Sequence, residues 1–201
     1  MDEDRDIDLD DYSDVAKLAI SLIGTDPNGI LNDKLRIHKL AFLTDKILKD
    51  EDLDEDLDFV PHYMGPYAEN LDDSIDKMSN QGIIKKNEIG KGIEYSLTKL
   101  GKLVLGKIKS EKLPVYDIAK DVNEDMINFK SMEITSLVYD LYPDFAKNSL
   151  IKEKLPKTNK YDHFSINLDS DMNKIEIITT KNGLSLMISR EDNSHIIIRG
   201  I

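Results

Sequence analysis

The chain contains no cysteine. That excludes disulfides, thiolate metal sites and cysteine nucleophiles. Aromatic residues are sparse, at 6%, so the core they help to build is modest. No uninterrupted apolar run approaches the roughly 18–20 residues of a membrane-spanning helix. The N-terminus is acidic, the reverse of the basic start of a secretory leader. These absences predict a cytoplasmic protein with no membrane association. Catalytic patterns are missing as well. H-E-x-x-H, Walker A and G-x-S-x-G do not occur, and His38, His62, His163 and His195 fall in four different segments. Carboxylates are plentiful, but those in acidic loops lack the shaped, partly desolvated setting of general acid–base groups. The run Asp169-Ser170-Asp171-Met172-Asn173 lacks the glycine and terminal glutamate of a calcium loop and reads as a turn. The sequence is therefore read as a non-enzyme, with no catalytic residue, metal ligand or cofactor expected.

What is present is negative charge, unevenly placed. The net charge is -12 over 201 residues. Residues 1–14 hold eight acids and one base, and residues 50–58 hold seven acids and no base. With those two blocks set aside, the remainder carries a net +2. Like-charge blocks of this kind stay solvated and irregular. Residues 1–10 are accordingly expected to be a disordered acidic tail. The plain reading of both blocks is solubilising; the sharper one is a nucleic-acid mimic or a dock for a basic partner.

Between the blocks, helical periodicity dominates. Tyr12, Val15, Leu18, Ala19, Leu22 and Ile23 recur at helical spacing behind Ser13, a suitable N-cap, up to about Gly24. Asn32 or Asp33 caps a second helix over 34–49, apolar on more than one stripe. His38 lies within it and reads as a partly buried structural residue. Phe59 to Tyr63 is extended, with Pro61 confining it to an edge, and Gly65-Pro66 forces a turn. A helix over 68–81 presents Leu71, Ile75 and Met78 on one narrow stripe. A hairpin follows: Ile83 and Ile84 open it, Gly90-Lys91-Gly92 turn it, and Ile93, Tyr95 and Leu97 alternate. Thr98 caps the next helix. Residues 115–129 and 133–142 read as two more helices, 145–155 as a short helix or irregular cover, and 156–162 as a polar linker. From His163 the texture becomes alternating and Ile-rich, with Asn182-Gly183 as a strong hairpin signal. The fold class expected is α+β: a mainly helical, winged-helix-like domain over 11–158, then a small antiparallel meander of four strands over 163–201. That meander needs cover on its apolar face, from the helical domain or from a second copy in a homodimer.

Three stretches carry a resemblance. Lys34-Leu35-Arg36-Ile37-His38-Lys39-Leu40-Ala41-Phe42-Leu43-Thr44-Asp45 looks like a "KLQKLLYLAD" helix. Tyr63-Met64-Gly65-Pro66-Tyr67-Ala68-Glu69-Asn70-Leu71 looks like a "Y-x-G-P-Y-S-x-x-L" turn. Tyr139-Asp140-Leu141-Tyr142-Pro143-Asp144-Phe145, followed by Asn148-Ser149, looks like a "Y-x-x-Y-P-E" segment. Tyr95-Ser96-Leu97-Thr98-Lys99-Leu100-Gly101 matches the "Y-x-L-T-x-x-G" step common in winged helices. Over about 12–155 the chain resembles the Panacea domain family of antitoxin-associated proteins. It departs at His38, where the pattern places leucine. The resemblance implies a protein-binding antitoxin or regulator, with a toxin as the protein partner.

Two binding readings follow. In the first, a protein partner meets Tyr63, Gly65, Pro66 and Tyr67, although aromatics at a tight turn ordinarily pack into the core. In the second, the winged helix reads DNA and touches the nucleic-acid backbone through Lys85, Lys86, Lys91, Lys99 and Lys102. Against it, the helix that would enter the groove offers Glu69, Asp72, Asp73 and Asp76 beside a single Lys77, a surface that repels phosphate.

Overall fold

The computed structural model describes residues 7–50, 57–90, 92–157, 161–167, 174–180, 183–187 and 197–199. The first helix, α1 (Asp14–Thr25), forms the centre. Ser13 Oγ accepts from the Ala16 amide at 3.2 Å, satisfying one of the free N–H groups of the first turn. Its apolar residues leave almost no solvent-facing side, so Leu18, Ile20, Leu22 and Ile23 are all fully buried. Each such side chain contributes about 2 kcal/mol of burial energy. At the far end, Asn123 donates to the Leu22 carbonyl and to Thr25 Oγ1, both at 2.8 Å. Asn123 belongs to α5 (Pro114–Asp125), which packs along α1.

A short strand, β1 (Leu31–Asn32), precedes α2 (Lys34–Asp50). Asp33 joins them with a left-handed backbone, φ 62°, and its carboxylate accepts from the Arg36 amide at 2.7 Å. Next come β2 (Val60–His62) and β3 (Gly65–Tyr67), a two-stranded antiparallel hairpin, and then α3 (Glu69–Asn80). The wing is β4 (Ile84–Ile89) with β5 (Gly92–Leu97), paired from Ile84 opposite Leu97 to Ile89 opposite Gly92. β1 adds to the free side of β5, giving a sheet of order β1-β5-β4. Thr98 caps α4 (Lys99–Ser110) through its hydroxyl, which accepts from the Gly101 amide at 3.1 Å. α5 and α6 (Ser131–Leu141) complete the helical layer, followed by two single 3-10 turns, Pro143–Ala146 and Lys152–Lys154. The last four strands, β6 (Tyr161–Asn167), β7 (Lys174–Thr180), β8 (Gly183–Met187) and β9 (Ile197–Arg199), form a meander in that order, each pair antiparallel.

The protein is thus α+β: six α-helices with small antiparallel sheets among the described residues. The helix, link, helix, wing, helix order expected from the sequence is present, but the turn expected at Gly65-Pro66 is not: those residues belong to strand β3, and the turn falls at Tyr63-Met64. Several expectations need correction. Residues 7–10 are not a disordered tail: Leu9–Asp11 form a 3-10 turn, and Leu9 is buried in the core. Residues 1–6 lie outside the described residues, as do 51–56 of the second acidic block. The fifth helix ends at Asp125 rather than 129, and the sixth begins at Ser131. The expected linker over 156–162 is strand at its end. Tyr161 opens β6 and is buried, its hydroxyl donating to Asp140 of α6 at 2.6 Å. No helix among the described residues is long and apolar enough to cross a membrane.

Candidate functional site

The hairpin β2–β3 is a poor ladder by itself. Pro61 and Pro66 face each other as cross-strand partners, and neither has an N–H to donate. Its geometry is therefore imposed from outside. The Lys39 ammonium of α2 donates to the Pro66 carbonyl at 2.9 Å. Asn148 Nδ2 donates to the Pro61 carbonyl at 3.1 Å, and the Leu150 amide to the Tyr63 carbonyl at 2.9 Å. Gly65 has φ +91° and lies against α6. A Cβ there would stand 2.7 Å from Tyr139 Cε1 and 3.1 Å from Lys39 Cε. Tyr139 is held in turn by its hydroxyl, which donates to Ser149 Oγ at 2.8 Å. The three stretches that carried the family resemblance therefore converge on one hairpin.

On α2, residues four apart share a face. Lys34 and His38 form one such pair, Leu35 and Lys39 the next. Asp72 reaches this face from the first turn of α3. It accepts from Lys34 Nζ at 2.6 Å, from Tyr67 Oη at 2.8 Å and from His38 Nε2 at 3.1 Å. Burial alone would raise its pKa. The hydrogen bonds from His38, Lys34 and Tyr67 outweigh it and hold the carboxyl well below the usual range. An ionised carboxylate only accepts, so His38 Nε2 bears the proton. Burial lowers the His38 pKa, against the pull of Asp72, and favours the neutral ring. In that tautomer Nδ1 is a bare acceptor, buried and without a partner among the described residues. The Tyr67 phenol is pushed up to about 12, first by its hydrogen bond to Asp72. Lys39 is 2% exposed, and burial brings its pKa down to about 7.

Lys34, His38, Lys39 and Tyr67 border a cavity of about 420 Å³, walled by α2 and the hairpin. The Tyr67 ring is flanked by His38, centroids 4.8 Å apart, and by His62 at 5.0 Å. Asp72 is a weak base with its acceptors occupied, and Tyr67 is a very weak acid. Among the described residues no group of three or more His, Asp or Glu is placed to hold a metal ion.

The structure brings Tyr63, Gly65, Pro66 and Tyr67 together around this cavity. Gly65 and Pro66 are buried and Tyr67 half-buried, but Tyr63 is 57% exposed. The expectation that both turn tyrosines pack into the core fails for Tyr63, because the tight turn points outward from a base already filled by Tyr139 and Lys39. His38 is buried, but as part of the Asp72 network rather than as a spectator. Lys85, Lys86, Lys99 and Lys102 are all exposed on the wing and α4; Lys86 pairs with Asp76 of α3. Lys91 lies outside the described residues. On α3, Asp72 is turned into the site, while Glu69, Asp73 and Asp76 remain exposed.

Sequence reasoning missed Lys39 and Asp72. The available signal was Lys39 itself, a charge set among Ile37, Leu40, Ala41 and Phe42 of a buried helix. A comparison with protein-family models finds none that matches the chain, and a comparison with curated proteins finds no match either.

Proposed function

We propose that this chain is a non-catalytic protein-interaction module, antitoxin-like or regulatory, that docks a protein partner on the β2–β3 hairpin. The observation that carries the reading is a cluster of large apolar side chains left in solvent on a braced support. Val60 is 51% exposed, Tyr63 57%, Met64 44% and Leu150 70%. Tyr63 and Leu150 are tied through their backbones. Exposed apolar clusters on rigid frames suit the anchor residues of interfaces, where an exposed tyrosine gives large contact area at low entropic cost. The resemblance to the Panacea domain family points the same way, with a toxin as the partner to test first. Self-association through residues 163–201 belongs to the same proposal, since β6 and β9 are the outer strands of the meander and open edges invite pairing.

A photocrosslinking side chain at position 63, with a control at exposed Lys120, tests the docking face in the cells that make the protein. One discrete protein adduct from position 63, absent from position 120, is expected. No adduct from 63 overturns the reading. Ending the chain at residue 158 and measuring mass by light scattering tests self-association; an unchanged mass removes it.

A second reading, contact with duplex DNA backbone, draws on the exposure of Lys85, Lys86, Lys99 and Lys102. The exposed acids of α3 beside the wing work against it. Binding to random duplex that weakens steeply with salt would favour it; no binding at low salt with protein in large excess would end it.

A further inference from the structure

Lys39 holds a position that the protein-docking reading does not use. Its ammonium can donate three hydrogen bonds and is almost wholly buried, yet among the described residues it has one acceptor, the Pro66 carbonyl. No carboxylate forms an ion pair with it among those residues. The charged and titratable groups around it come from every neighbouring element. Asp33, just before α2, attracts the amine at longer range without an ion pair; α2 supplies Lys34 and His38, the hairpin His62 and Tyr67, α6 Tyr139, and α3 Asp72. Asp72 is already occupied by Lys34, His38 and Tyr67, so it leaves Lys39 without a counter-ion. Lys39 also lines the cavity, whose other walls include Leu35, Met64, Pro66 and Tyr67. A buried cation without a counter-charge is costly, and an anion beside it relieves that cost. The cavity, at about 420 Å³, lies in the size range of small-molecule sites.

We propose that this cavity binds a free organic acid, an apolar body bearing a single carboxylate, with the carboxylate on the Lys39 ammonium and the body against Leu35, Met64 and Tyr67. One unpaired ammonium suits a monoanion rather than a phosphate dianion. The apolar walls suit an aryl or branched alkyl body. The assignment rests on Lys39, which the protein-docking reading does not use, although Met64 belongs to both the cavity and the docking face.

The test is calorimetric titration of the full chain with naphthylacetate and with its neutral isostere, naphthylacetamide. The acid is expected to bind at least about tenfold more tightly than the amide near pH 6.5, since a charge-assisted bond to a desolvated ammonium is stronger than a neutral one. Binding needs the protonated amine, whose pKa is about 7. Affinity for the acid should therefore fall about tenfold per pH unit above that value, while the amide shows no such fall. In Lys39→Met the preference for the acid should vanish with amide binding kept. If that variant does not fold, the acid-against-amide comparison and its pH dependence on the unaltered chain still decide the matter. Equal binding of acid and amide, binding of neither, or a preference that survives in Lys39→Met overturns the proposal. Tighter binding of an acetylated tripeptide ending in a free phenylalanine carboxylate than of naphthylacetate also overturns it, and assigns the cavity to a chain terminus.

Discussion

Gly65→Ala strikes the base on which the hairpin rests. At φ +91° an L-residue loses about 1–2 kcal/mol to backbone strain. The new methyl would also stand 2.7 Å from Tyr139 Cε1, 3.0 Å from its hydroxyl and 3.1 Å from Lys39 Cε. Neither neighbour moves freely. Tyr139 is 6% exposed and bonded to Ser149; Lys39 is 2% exposed and bonded to Pro66. Overpacking of this kind costs about 1–3 kcal/mol, giving a total of about 2–5 kcal/mol. In a chain of this length each kcal/mol lowers Tm by about 2–4 °C, so a drop of about 4–20 °C is expected. Gly82→Ala is the matched control. Its φ is +71°, but no atom lies within 4 Å of the added methyl, so it carries only the strain. Thermal and urea unfolding of both variants, followed by far-UV circular dichroism, isolates the packing contribution. Gly65→Ala should be the more damaged by about 1–3 kcal/mol. Equal losses would refute the claim that the hairpin is wedged against α6 and α2.

Asp72→Asn keeps the shape but puts an amide donor among three donors, and should lose about 1–3 kcal/mol. Because the folded carboxyl titrates below its unfolded value of 3.8, its stabilisation is complete above that pH and is lost as pH falls through the folded value. Urea midpoints should therefore drop more steeply for the parent than for the variant between about pH 4 and about pH 2. Lys39 behaves in the alkaline direction. Burial lowers its pKa from 10.5 to about 7, so the unfolded chain binds more protons in that window and parent stability rises with pH from about 7 to about 9. Lys39→Met should lack the rise, and a flat parent profile would contradict the burial assigned to the amine. Asn123→Ala strands the Leu22 carbonyl at the end of α1 and should cost about 1–3 kcal/mol, read as a lower urea midpoint; an unchanged midpoint would mean that this contact is replaced by solvent.

Local patterns in the chain were sufficient for most elements. Ser13 and Thr98 cap the helices they precede, Leu71, Ile75 and Met78 form the buried stripe of α3, and Asn182-Gly183 falls where β7 gives way to β8. Such features follow from periodicity and from the conformational tastes of residues adjacent in sequence. β1 was not legible, because two residues make no period and exist as strand only by pairing with Tyr95 and Glu94. Leu9 looked solvated in its acidic neighbourhood, yet one apolar side chain found the core.

The site lay further still from local reading. Lys39 meets Pro66 across 27 residues, and His38 meets Asp72 across 34. Asp72 looked like one more acid on a phosphate-repelling face, and His38 like an isolated ring in a helix. Spacing along the chain determined that Lys34 with His38, and Leu35 with Lys39, share faces of α2. Which carboxylate, carbonyl or aromatic ring would stand opposite them depended on how α3, α6 and a hairpin with two facing prolines close over that helix. Periodicity acts over a few residues, whereas burial and long-range hydrogen bonding are settled only when distant elements pack.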